Sequence, residues 1–217
     1  MKPDLTLPIL WQEAARFAEV ENSFAEPRLY GVTDGKAVGT YLEQKFTNYL
    51  TTLYIVSPGN SASGIDLPGL EVDIKVTSIR QPQSSCPYKS ARQKIYGLGY
   101  NLLIFVYNKL DDHLNQTSRL EMLHTIFVDK VRTADFQMTR GILQILENDG
   151  NTDDLIAFML DRNLPVDEIE AQNIAEDLLE NPPLLGYLTI SNALQWRLQY
   201  NRAIQFAGTV DGIYRVR

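Results

Sequence analysis

One short stretch of the chain brings together side chains that can do chemistry. In Gly64-Ile-Asp-Leu-Pro-Gly-Leu-Glu-Val-Asp-Ile-Lys-Val-Thr-Ser78 the residues over 70–77 alternate strictly. Leu70, Val72, Ile74 and Val76 point one way, and Glu71, Asp73, Lys75 and Thr77 the other. Asp66 precedes them, and the intervening Pro68-Gly69 can reverse the chain and lay it alongside the strand. Two carboxylates held close together repel, and a divalent cation with oxygen ligands offsets that repulsion. An ammonium beside such a cation positions a water or stabilises charge developing on phosphorus. This is the equipment of metal-assisted phosphodiester hydrolysis. An exposed strand face with cross-strand ion pairs has the same pattern, so the flanking segments must discriminate.

The chain has 217 residues, enough for one domain with an appendage or two small ones, and it can bury a core. No apolar run is long enough to cross a bilayer, and Met1-Lys2-Pro3-Asp4 does not open as a secretory signal. The single cysteine, Cys86, excludes an internal disulfide and fits a cytoplasmic location. A formal net charge of -7 weighs against a nucleic-acid partner only as a total, because what matters is where the basic residues sit.

The elements around the central stretch follow from periodicity. Pro8 opens an amphipathic helix with Leu10, Ala14, Phe17 and Ala18 on its apolar side. From Lys36 a second helical stripe runs through Val38, Leu42, Phe46 and Leu50. Glu43 lies beside it, either as a solvated helical glutamate or as a third carboxylate leaning on the metal site. Ser57 to Gly64 reads as loop, and the continuous apolar run over 102–107 as a central strand, with a second over 123–128. Ser90 is placed to cap a short helix over 91–96, whose Arg92 and Lys94 suit a phosphate backbone.

Beyond Lys130 the character is helical, over 136–146, over 153–160, and from Pro165 to 179. The many acids of this section read as a solvated face, a poor surface for DNA. The tail turns basic. Ser191 caps a helix to Ile204 whose polar side carries Gln195, Arg197, Gln199, Asn201 and Arg202, types that read base edges. Thr209 to Arg217 reads as a hairpin turning at Asp211-Gly212. A winged-helix arrangement and a plain C-terminal helix with surface amides both fit. The expected fold is α/β (α+β): a central mixed β-sheet flanked by helices over 1–130, then a mainly helical region over 131–217. His113 and His124 stand apart from acids and cysteine at ligand spacing, and Gly97-x-Gly99 falls short of a dinucleotide fingerprint.

Asp66, Asp73 and Lys75 resemble the signature of the PD-(D/E)XK nucleases, an acid followed by acid-x-Lys on the next strand. Three flanks strengthen the likeness. Gly35-Lys36-Ala-Val-Gly39-Thr-Tyr-Leu42-Glu43 looks like the loop and L-E helix of the MutH-type branch and its restriction-enzyme relatives. The stretch over 70–77 is similar to that branch's G-x-E-x-K-T strand, and Ser90-Ala-Arg-Gln-Lys94-Ile95 resembles its second-lysine segment. The likeness implies a restriction-endonuclease-like core in which Asp66, Asp73 and the Ile74 carbonyl hold Mg²⁺, with Mn²⁺ able to substitute. It also implies that Lys75 is the catalytic lysine, that Glu43 assists, and that Lys94 contacts the scissile phosphate. Glu71, two residues before Asp73, is the other candidate for the second metal carboxylate.

The function expected is that of a type II restriction endonuclease cutting double-stranded DNA, as a homodimer because a palindrome presents two related strands. The alternatives are a monomeric nicking or repair endonuclease, and a non-catalytic DNA-binding module that keeps the fold.

Overall fold

A computed structural model describes residues 2–56, 64–87, 89–191 and 196–217. The chain divides into two compact units, the first made of Met1–Ser84, Tyr100–Val128 and Phe206–Arg217, the second of Ser85–Gly99 and Asp129–Gln205.

The first unit is built on the apolar runs. Strands β2 (Val72–Ser78), β4 (Asn101–Asp112) and β5 (Thr117–Val128) form its sheet, with β1 (Ala25–Glu26) and β8 (Ile213–Arg215) both pairing with β5. β2 runs parallel to β4 and the other pairings are antiparallel, so the sheet is mixed. Helices α1 (Leu7–Glu21) and α2 (Gly35–Leu53) supply the partner layer of the core. Leu10, Ala14 and Phe17 of α1 and Val38, Leu42 and Phe46 of α2 meet Val72 and Ile74 of β2 and Leu103 and Phe105 of β4. The 3.6-residue stripe and the two-residue alternation thus face each other, which excludes water from both. β4 is buried on both faces over Leu102–Val106, as a continuous apolar run demands of a central strand.

The second unit holds β3 (Gln83–Cys86), where the chain passes into it, then α3 (Arg92–Tyr96), α4 (Phe136–Glu147), α5 (Thr152–Asp161) and α6 (Glu168–Glu180). β6 (Thr189–Ile190), β7 (Trp196–Gln199) and α7 (Asn201–Phe206) follow. Ile95, Met138, Ile142, Leu155, Met159, Ile174 and Leu178 pack its helices together. The third helix starts at Glu168 under an Asp167 cap, because the Asp167 carboxylate accepts from Glu170 N, and Pro165 lies ahead of it.

Residues 196–204, read from the sequence as one helix, form strand β7 and the short α7 instead. The reason is the burial of Trp196, Leu198 and Tyr200 at every second position. That period belongs to a strand and outweighs the weaker helical spacing of Leu198 and Ile204. Ser191, expected as a helix cap, receives Arg197 N on its hydroxyl and closes a β6–β7 hairpin. The Asp211-Gly212 turn is present, bridging Val210 and Ile213, but the expected hairpin does not form: 209–210 is no strand, and Ile213–Arg215 pairs with β5 as β8.

Asp135 ties the second unit together. One carboxylate oxygen caps α4 at Met138 N, 2.8 Å away, and the other accepts from Ile190 N at 2.7 Å, with the side chain buried. Asp135→Ala leaves two buried donors unsatisfied and is expected to cost about 2–4 kcal/mol, measured by chemical denaturation.

Candidate active site

The turn predicted at Pro68-Gly69 forms as a 3-10 turn, Pro68–Leu70. Leu67 and Val72 bond each other across it in both directions, at 2.9 and 3.2 Å. Glu71 leaves this turn in the left-handed conformation, φ 53°, and is exposed, so the strand's carboxylate face begins at Asp73.

Among the described strands β2 pairs with β4 and lies at the edge of the sheet, so the N–H and C=O groups of Ile74 and Val76 point away from it. Carboxylates meet them there. The Asp66 side chain accepts from Ile74 N at 2.8 Å, and Glu43, on α2, accepts from the Val76 backbone. α2 passes close to the strand here: a methyl group at Gly39 would be in ordinary contact with the Val76 carbonyl, at 3.6 Å.

Asp73 is 3% exposed, its carboxyl lies within hydrogen-bonding reach of Asp66, and Lys75 Nζ stands 2.7 Å from its Oδ2. Burial pushes the Asp73 carboxyl up to about 7, with Asp66 adding to the rise and Lys75 working against it. Burial alone would lower the Lys75 ammonium, but Asp73, Glu43 and Asp66 outweigh it and hold its pKa above the ordinary value. Burial also raises Glu43, opposed by Lys75 and by the Val76 hydrogen bond.

Four of the sequence-derived residues, Asp66, Asp73, Lys75 and Glu43, are therefore neighbours around one strand edge. Among the described residues, no three His, Cys, Asp or Glu side chains form a closed metal cage. A pair of carboxylates completed by backbone carbonyl, water and substrate phosphate is the coordination Mg²⁺ favours. The donor set fits such an ion.

The remaining residues belong to the second unit. Lys94 is buried in the second unit, where burial lowers its pKa and Asp135 opposes the change. Arg92 is clamped by two acids of α6, with Glu170 at 2.8 Å and Asp177 at 2.5 Å, and pins α3 to that helix. Arg197 and Asn201 are exposed, Gln199 and Arg202 half-buried, and Gln195 lies outside the described residues. The loop read over 57–64 also lies outside them, apart from Gly64. Sequence reading missed the role of the outward N–H groups of Ile74 and Val76. Their signal is indirect, since it requires knowing that β2 is an edge.

The family model described as type II restriction enzyme NspV matches residues 4–215. The chain belongs to the NspV family of type II restriction enzymes. A curated family member of that name from Nostoc sp. is 68% identical over 212 residues, which cover 98% of this chain and 96% of the relative. The expectation of a restriction endonuclease and that of a mixed α/β core are both met. No solved structure matches the chain. Among the described residues no helix is long and apolar enough to cross a membrane.

Proposed function

We propose that this restriction enzyme hydrolyses the phosphodiesters of double-stranded DNA at a PD-(D/E)XK centre of Asp66, Asp73, Lys75 and Glu43. The proposed cofactor is Mg²⁺, replaceable by Mn²⁺, and the working form a cytoplasmic homodimer. The observation that carries the reading is the contact of the Asp66 and Asp73 carboxyls beside the Lys75 ammonium. Structural ion pairs seldom set two acids against each other in a buried place, because one must stay protonated.

Asp66, Asp73 and the outward carbonyl of Ile74 are the groups that would hold the metal. When bound, it supplies a Lewis acid for the phosphate oxygen and lowers the pKa of water. Lys75 orients the attacking water in line with the scissile bond and meets the negative charge that grows on phosphorus. Glu43 fixes the height of β2 through Val76 and keeps Lys75 charged. Lys94 is the second lysine of this reading, and Arg197, Gln199, Asn201 and Arg202 are its DNA contacts in the tail.

Incubating the purified protein with unmethylated phage DNA and Mg²⁺ is expected to give discrete bands that vanish with EDTA. A smear, or uncut DNA at every protein concentration, rejects the reading. Direct conversion of supercoiled plasmid to linear form is the outcome expected of a dimer, whereas accumulation of open circles points to a nicking monomer.

A further inference from the structure

We propose that a groove in the second unit, lined by α4, α5 and the start of α7, grips the sugar–phosphate backbone of the DNA through Arg140, Arg162 and Arg202. The proposal rests on the DNA reading above and assigns a binding surface separate in sequence from Asp66, Asp73 and Lys75.

The groove is a cavity of about 820 Å³. Three guanidinium groups line it, against one carboxylate, Asp154. This concentration of positive charge stands out in a chain of net charge -7, and in a segment whose sequence is dominated by acids. Asp154 is partly committed to its own helix, accepting from Asn151 N at 3.0 Å in the α5 capping box.

Aromatic rings hold the cations in place. Arg202 lies 3.5 Å and Arg140 5.9 Å from the Phe136 ring centroid, and Arg162 lies 5.3 Å from that of Phe158. A guanidinium stacked on a ring loses rotational freedom while its N–H edge points away from the ring, which is the arrangement that suits bidentate binding of phosphate. Arg202 Nε is buried and has no acceptor among the described residues. Arg140 and Arg162 are exposed, and Arg162 also reaches Gln137 at 3.4 Å and Asp161 at 4.0 Å.

The floor depends on Gly141. A Cβ at that position would stand 2.1 Å from the Phe158 ring, so only glycine lets the ring lie against α4. Gln137 and Gln144, one turn before and one turn after Gly141 and both exposed, are types that bond base edges once the backbone is seated. Three like charges around one cavity repel, and a polyanion crossing it relieves that repulsion while releasing its own counterions.

The test uses full-length protein and a fluorescein-labelled random-sequence 30-base-pair duplex in EDTA, with anisotropy read across a NaCl series. The triple variant R140Q/R162Q/R202Q is expected to bind at least tenfold more weakly near 0.1 M salt. Its slope of log affinity against log salt should be shallower by about 2–3. D154N, which removes the opposing carboxylate yet keeps an oxygen for the α5 cap, is expected to bind severalfold more tightly, a gain that misfolding cannot mimic. If the triple variant keeps the wild-type affinity and slope, or D154N does not tighten binding, the groove assignment is overturned. Wild-type protein that cuts DNA while these variants bind unchanged removes the groove alone; wild-type protein that neither binds nor cuts removes the nuclease reading itself.

Discussion

Asp73→Asn is expected to abolish DNA cleavage, by about 10³-fold or more, while making the metal-free protein more stable at pH 8. The two effects share one cause. Asp73 is buried against Asp66, and its carboxyl is pushed up to about 7, whereas in the unfolded chain it ionises near an ordinary aspartate value of about 4. Below about pH 4 both states hold the proton, and the group does not weaken the fold. Between there and about 7 the unfolded chain releases the proton while the folded chain retains it, so stability falls as pH rises and levels off above that range. Asparagine has no charge to bury. The expected gain above neutral pH is on the order of 3 kcal/mol, read as a rise in Tm of roughly 5–10 °C in EDTA. Mg²⁺ should raise the wild-type Tm and leave that of the variant unchanged. Wild-type cutting by D73N, or a variant less stable than wild type in EDTA at pH 8, would contradict the assignment.

Lys75→Met is the second change with a large expected effect. The ammonium stands 2.7 Å from Asp73 and is held charged by Asp73, Glu43 and Asp66 together, so methionine leaves three acids without their common counter-charge. Cleavage should fall by about 10²–10⁴-fold, since both the positioned water and the charge that meets the transition state are lost. Because Lys75 is one of the groups holding the Asp73 pKa down, its removal should raise it further. Metal then has to displace a proton at higher pH, and the pH at which Mg²⁺ begins to raise the Tm should move upward. DNA binding in EDTA should stay within a few-fold of wild type, because the proton that Asp73 takes up more readily offsets the positive charge lost with Lys75. A variant that keeps its rate but loses DNA affinity would place Lys75 in binding and not in the chemical step.

The two-residue alternation over 70–77 and the apolar run over 102–107 were legible because one period and one length decide them, and β2 and β4 form where those runs lie. Pro68-Gly69 was likewise readable, since few chains pass through such a pair without turning, and it does bring Asp66 beside Ile74. The position of Glu43 was only half legible. Its place beside the apolar stripe follows from helical spacing, but its bond to Val76 depends on β2 lying at a sheet edge. The tail misled for a physical reason: Trp196, Leu198 and Tyr200 carry a strand period in a segment too short to outvote helix-forming neighbours. Arg140, Arg162 and Arg202 are far apart in sequence, and nothing in their spacing shows that they line one cavity.

The chain path also bears on engineering. The unit that carries Asp66, Asp73 and Lys75 is assembled from three separate stretches, the last of them Phe206–Arg217, with β8 laid against β5. No single cut in the gene releases this unit as a free-standing piece, and a truncation before Phe206 strips a strand from the very sheet that carries Asp73 and Lys75. Retargeting this enzyme by exchanging whole cassettes, as is done with nucleases whose reader and cutter are strung end to end, is closed off by its topology. New specificities have to be sought by substitution within the intact chain, and any fusion partner belongs beyond a linker long enough to leave the final strand in place.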